Sequence, residues 1–254
     1  MKVTFLGTGT SQGVPVIACS CSVCRSADEL DKRLRTSVLI ETDDLTIVID
    51  SGPDFRQQML RADVKRLDAI LFTHEHKDHI AGMDDIRAYN YIQQQSMPVY
   101  AEERVQDAIR KEFSYVFAEE KYPGIPEVNF INLKNEDFTI GNLLVTPIRA
   151  MHLKLPVFGF RFGKFAYLTD VNFIPEEEKG KLKDLDYLVI NGLRKEKHIS
   201  HYALNEAIDL VNEVKAKKGY ITHISHQMGL HKEVENYLPR HVQLAYDNLV
   251  LEIA

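Results

Sequence analysis

The chain opens on strand-length apolar stretches separated by turns. Val3 to Leu6 runs into a glycine-rich turn, Gly7-Thr8-Gly9-Thr10-Ser11-Gln12-Gly13. Ser37 to Glu41 and Leu45 to Asp50 are rich in β-branched residues and flank Asp43-Asp44, the pattern of a hairpin. Pro53 suits a first helical position, so a helix is expected just after it. Asp68 to Thr73 is a short apolar strand that leads straight into His74-Glu75-His76-Lys77-Asp78-His79. The second half repeats the scheme, with strands predicted at Leu143 to Met151, Val157 to Phe162, Phe165 to Thr169 and Tyr187 to Ile190. Pro147 cannot donate to a ladder, which predicts an edge or bulged position for the first of these. From Ala203 to Lys215, Leu204, Ala207, Ile208, Val211 and Val214 recur at close to helical spacing. A strand at Gly219 to Ile224, a short helix at Glu233 to Leu238 and a strand at Leu249 to Ile253 complete the pattern. Strands then helices, twice over and without a linker or repeat, predict one α+β domain spanning residues 1–254. Its expected form is an αββα sandwich, two mixed β-sheets flanked by helices.

Composition narrows the partners. At 254 residues and 44% hydrophobic content, the chain can close an ordinary core. Apolar runs such as Ala69 to Phe72 fall far short of the roughly 18 to 20 residues that cross a bilayer, so no membrane association is expected. The opening residues read as a strand rather than a signal peptide, and the expected location is the cytoplasm. Lys and Arg total 31 against 37 Asp and Glu, a net charge of −6. That balance opposes an extended nucleic-acid footprint and favours a small anionic ligand. A homodimer is compatible with the sequence, which does not decide the oligomeric state. The glycine-rich turn is no nucleotide fingerprint: Gln12 stands where a dinucleotide motif needs glycine, and no Lys-Ser/Thr pair completes a P-loop.

The chemistry concentrates in two places. In His74-x-His76-x-Asp78-His79, imidazoles two residues apart at a strand end can converge on one metal ion, while Asp78 and His79 face a second. Two ions need about seven ligands, and the remainder are sought at later strand ends: His152 after Ala150-Met151, Asp170 after Leu168-Thr169, His223 after Ile221-Thr222. A carboxylate such as Asp170 suits a bridging position because its two oxygens can serve both ions. The second place is Cys19, Cys21 and Cys24, the only cysteines, all within six residues. An odd number packed so tightly is a poor disulfide framework and reads as a metal knuckle that lacks one ligand.

Together these motifs resemble the metallo-β-lactamase superfamily. The likeness is greatest to its phosphodiesterase branch, which holds tRNase Z and the PhnP-type phosphoribosyl cyclic phosphodiesterases. Phe5-Leu6-Gly7-Thr8-Gly9, Gly13-Val14-Pro15, the cysteine cluster and Thr222-His223-Ile224-Ser225-His226 look like the PhnP type in particular. The resemblance implies one ion on His74, His76 and His152, a second on Asp78, His79 and His223, and Asp170 between them. The ions would be zinc, manganese or iron. It also implies a structural zinc on Cys19, Cys21, Cys24 and His226, with His231 as the alternative fourth ligand. His201 would protonate a leaving alkoxide and counts with Asp78 in the catalytic set; His198, beside the charged run Arg194-Lys195-Glu196-Lys197, reads as solvent-exposed, with a swap of roles with His201 as the alternative, and His241 carries no function. Asp50 reads as the group that orients a ligand histidine or the loop backbone, or as a plain turn carboxylate. Arg33 and Arg35 offer guanidiniums to a substrate phosphate, although a solvated charge run is the better reading for at least one of them.

The implied activity is hydrolysis of a small, cyclic phosphodiester such as 5-phosphoribosyl 1,2-cyclic phosphate by a metal-activated water. The rivals are tRNase Z-like RNA processing, opposed by the acidic charge, and a PqqB-like non-hydrolytic role in cofactor maturation. The full set of seven metal ligands opposes the latter.

Overall fold

A computed structural model describes residues 1–120 and 122–253. Its strands are β1 (Lys2–Gly7), β2 (Ser37–Glu41), β3 (Thr46–Ile49), β4 (Ala69–Leu71), β5 (Met97–Ala101), β6 (Val128–Asn132) and β7 (Phe138–Ile140). There follow β8 (Leu143–His152), β9 (Leu155–Phe162), β10 (Phe165–Tyr167), β11 (Tyr187–Asn191), β12 (Lys218–Thr222), β13 (Val242–Leu244) and β14 (Val250–Glu252). They form two seven-stranded sheets, ordered β14-β1-β2-β3-β4-β5-β6 and β13-β12-β11-β10-β9-β8-β7. Each sheet is mixed. The first is antiparallel from β14 to β3 and parallel from β3 to β6. The second is antiparallel from β7 to β10 and parallel from β10 to β13.

Strand alternation sorts the apolar side chains into layers. Val3, Phe5, Val38, Ile40, Ile47 and Ile49 meet Phe158, Phe160, Phe165 and Tyr167 between the sheets. The alternate residues Leu6, Leu39, Val48 and Ile70 face outward onto the helices Phe55–Arg61 and Glu103–Glu112. On the other side, Ala150, Ile190 and Ile221 pack against Leu204, Ala207, Leu210, Val211 and Val214 of the helix Leu204–Val214. Both faces of each sheet are covered, as the near-continuous hydrophobic strands require. This is the αββα sandwich that the sequence predicts.

Pro147 sits opposite Phe160 of β9, and β7 pairs with β8 only over Leu143 to Val145. Its missing N–H therefore falls on a free edge. The predicted helix at Glu233 to Leu238 instead spans His231–Glu235. Elements between residues 83 and 140 had no sequence assignment. Here β5 contains Pro98, and β6 has no fully buried side chain, so neither carries a strong strand signal.

Candidate metal centres

The parallel strands place the ligands. β4 ends at Leu71, and the chain continues through Phe72 and Thr73 to His74 and His76. His76 caps the short helix Lys77–Ile80, which carries Asp78 and His79. Asp50 follows β3 directly, His223 follows β12 directly and Asp170 lies just beyond β10. All three adopt left-handed backbone, with φ of 64°, 55° and 58° respectively. Non-glycine residues rarely hold that conformation, and three at one site mark backbone spent on aiming side chains. Gly52 lets the Asp50 turn approach: a Cβ there would lie 2.0 Å from the Asp78 carbonyl oxygen.

The side chains form adjoining groups whose ligand atoms lie within 4.8 Å of one another: His74, His76 and His152; then Asp78, His79, Asp170 and His223. Asp170 also falls in a third such group, with His152 and His201, and so sits between the other two. Each ligand histidine that has a tethered nitrogen presents the other inward. His79 Nδ1 donates to Asp50 Oδ2 at 2.7 Å, and His152 Nδ1 donates to the Ser200 carbonyl at 2.7 Å. His74 Nδ1 meets Thr73 Oγ1 at 3.0 Å, and His223 Nε2 meets Thr10 Oγ1 at 3.3 Å. Asp50 is itself held by the Thr73 N–H and hydroxyl at 2.9 and 2.8 Å.

The inward atoms test whether metal ions fit. His74 Nε2, His79 Nε2, His223 Nδ1 and His201 Nδ1 are buried with no hydrogen-bond partner. Buried polar atoms left so are costly, and three of the four, on His79, His201 and His223, face the carboxylate of Asp170, which calls for cations. Burial pushes the imidazoles of His74, His76 and His223 down, which favours the neutral form that ligates. His79 differs: burial opposes its charge, yet Asp78, Asp170 and Asp50 outweigh it and raise its pKa well above the ordinary value. The residues fit divalent metal ions.

A second convergence lies nearby. Sγ of Cys19, Cys21 and Cys24 approach Nδ1 of His226 at 3.3, 3.4 and 3.5 Å. Three thiols around one imidazole nitrogen make a closed tetrahedral set suited to zinc. The Cys24 N–H, then His226, bring the Cys21 thiol down to about 6, whereas burial drives Cys24 up to about 11. His231 stands elsewhere, with Nδ1 accepting from Arg33 Nη2 at 2.9 Å.

Residues 46–224 match the profile of the β-lactamase superfamily domain. The chain belongs to the metallo-β-lactamase superfamily. It is 44% identical, over 98% of its length, to an octanoyltransferase of Porphyromonas gingivalis, of which it spans about half (51%). A coenzyme PQQ synthesis protein B of Rhodopseudomonas palustris is 40% identical over 63 residues, 24% of this chain and 20% of that protein. Among solved structures, a diphosphatase from the PhnP family shares 38% identity with a TM-score of 0.93, over 100% of this chain and 98% of that one. Zinc-bound PqqB of Methylobacterium extorquens matches at 20% identity and TM-score 0.81, covering 100% of both chains. Human tRNase Z, short form, matches at 20% and 0.73, again over 100% of both. These last two show the fold alone.

Within the metallo-β-lactamase frame, one expectation needs correction. Arg33 is buried, and its guanidinium donates to Thr8 Oγ1 at 2.8 Å, the Ala245 carbonyl at 2.5 Å and His231. Every strong partner is internal, so Arg33 is a strut of the fold and not a phosphate ligand. Arg35 is tied to Asp54 at 3.1 Å and to the Ser11 carbonyl at 3.2 Å, which accounts for its place without a phosphate. His201 is buried, with its Nδ1 3.8 Å from Asp170 Oδ1. His198 is half-buried, its ring centroid 5.2 Å from that of His201. His241 meets Asn212 away from the ligand groups. Sequence reading passed over Thr10, Thr73 and Ser200, which set the imidazole orientations. Only Thr73, adjacent to His74, left any signal.

Proposed function

We propose that this metal-dependent hydrolase of the metallo-β-lactamase superfamily cleaves a phosphoric diester of a small molecule. 5-Phosphoribosyl 1,2-cyclic phosphate is the first substrate to test. The observation that carries the reading is the shared carboxylate, Asp170, which stands between two ligand groups with the uncommitted His201 beside it. His74, His76 and His152 would hold one ion; Asp78, His79 and His223 would hold the other, with Asp170 serving both. When bound, such ions polarise a phosphoryl oxygen and make water nucleophilic near neutral pH.

The chain's own groups do the rest. Asp50 fixes the His79 tautomer, and the Ser200 carbonyl fixes that of His152, so neither imidazole reorganises during reaction. His201 is placed to pass a proton to the leaving oxygen. Burial, with His223 beside it, pushes His201 down to about 3, so the acid role requires the bound phosphate anion to offset that push. In this reading the acid is charged by the substrate it serves.

A diphosphate linkage is the second reading, favoured by the diphosphatase from the PhnP family at 38% identity. RNA processing fits poorly with a net charge of −6. Octanoyl transfer, the name of the Porphyromonas relative, is not adopted: about half of that protein lies outside the match, and all three thiols here face His226. The test is a hydrolysis panel of bis(p-nitrophenyl) phosphate, 5-phosphoribosyl 1,2-cyclic phosphate and a nucleoside diphosphate on metal-loaded protein. Turnover of the diesters above the diphosphate supports the proposal. Turnover of the diphosphate alone replaces it with the second reading.

A further inference from the structure

His76 stands apart from the other histidines of the two ligand groups. The rings of His74, His79, His152 and His223 each have a hydrogen-bond partner. Among the described residues, none is found for the ring of His76, which is also the exposed member of its group. Its aim must come from the backbone that carries it.

That backbone is gripped at Glu75. Arg104, in the first turn of the helix Glu103–Glu112, donates from Nη1 to Glu75 Oε2 and from Nη2 to the Pro156 carbonyl. Pro156 pairs with Met151 across β8 and β9, next to the pairing of Leu155 with His152. One guanidinium thus joins the segment of His74 and His76 to the hairpin that carries His152. The link runs on: Nη2 also meets Glu102 Oε2 at 3.3 Å, and Glu102 takes both Nη atoms of Arg149, on β8, at 2.9 and 2.5 Å. The Arg149 guanidinium lies 3.8 Å from the centre of the Phe158 ring, and the Phe158 N–H donates to the Thr73 carbonyl at 3.1 Å. The ties found on the other ligand group, Asp50 on His79 and Thr10 on His223, involve none of these four charged side chains. Ion pairs in contact with solvent add little to stability, whereas a planar donor with two fixed arms is suited to holding two segments in register.

We propose that Arg104, acting through Glu75, is a positioning residue for His76: it sets the spacing of His74 and His76 from His152, and with it that group's affinity for its ion. The inference rests on the two-ion reading of the centre and concerns one of the two groups only.

The test is a titration of cobalt(II), followed by visible absorption, into protein from which mild chelation has removed the ions of the His/Asp centre. Arg104→Ala should weaken one ion by about ten- to a hundredfold, the usual cost of losing a group that orients a ligand, and leave the other unmoved. The absorption bands that weaken should be those missing in His76→Ala. Glu75→Gln, which keeps the shape and removes the charge, should match Arg104→Ala, and the double variant should lose no more than either alone. Arg104→Lys should recover only part, because an ammonium cannot span both partners with one fixed fork. Both ions weakened alike, or neither weakened in Arg104→Ala and Glu75→Gln, overturns the inference. A wild-type centre that binds a single ion sinks the two-ion reading instead; the clamp then survives if Arg104→Ala weakens that ion and falls if it does not.

Discussion

The His/Asp centre and the cysteine knuckle lie three residues apart along one loop, at His223 and His226, yet they are built on opposite principles. The centre gathers residues from strand ends spread between positions 50 and 223, holds three of them in left-handed backbone, and leaves imidazole nitrogens buried without partners. The knuckle takes three ligands from six consecutive residues and closes them on one nitrogen of His226. The first arrangement keeps inward positions open and pays in strain. The second fills every position, ties the segment around Cys19 to Cys24 onto the His223 loop, and leaves no room for a reactant. Reactivity and stability are thus divided between neighbours, and substitutions should separate them.

The largest effect is expected at Asp170. Asp170→Ala removes the carboxylate shared by the ligand groups and should cost about 10⁵-fold in turnover, roughly 7 kcal/mol of barrier, together with metal occupancy. Activity within about tenfold of wild type would place the shared group elsewhere.

His201→Ala comes next. As an acid, His201 matters most for a poor leaving group, so an alkyl diester should lose about 10² to 10⁴-fold and a p-nitrophenyl ester far less, with metal content unchanged. Equal losses on both esters would make His201 a binding group.

The knuckle should answer differently. His226→Ala and Cys21→Ser should each lose tightly held zinc and lower the melting temperature by more than about 5 °C. His223→Ala should lower turnover, though less than Asp170→Ala does, while the fold holds. A His226→Ala protein that keeps its zinc and its melting temperature would return the fourth ligand to His231.

The smallest expected effect is in neither region. Burial, then Arg33, pushes His231 down to about 4. Its unfolded pKa is near 6.5, so between pH 6.5 and 4 the unfolded chain binds more protons than the folded one. This residue's share of stability is complete above pH 6.5 and falls as pH drops towards 4. In denaturant titrations, His231→Gln should show a shallower loss across that window. Parallel curves would show that His231 does not titrate there.

The centre was legible where its chemistry is contiguous or follows a strand end. His74 to His79 stands out in six residues, and His152, Asp170 and His223 share one position relative to their strands. Partners that act through the backbone or across the chain were invisible. The Ser200 carbonyl has no side-chain signature, and Thr10 meets His223 across 213 residues of sequence. Arg33 misled for the opposite reason. Lys32-Arg33-Leu34-Arg35 reads as solvated charge, whereas the bridge from Val14 to Arg33 pulls that guanidinium into the core.

The central claim is that two kinds of metal site share this loop, and metal content under graded chelation tests it most directly. The proposal puts one ion on His74, His76 and His152, a second on Asp78, His79, Asp170 and His223, and a zinc on the Cys/His group. Elemental analysis of loaded protein should approach three, and mild chelation should remove two of them together with all activity while zinc and fold remain. Full activity with a single ion per chain, or loss of the last zinc without any change in melting temperature, would contradict the account.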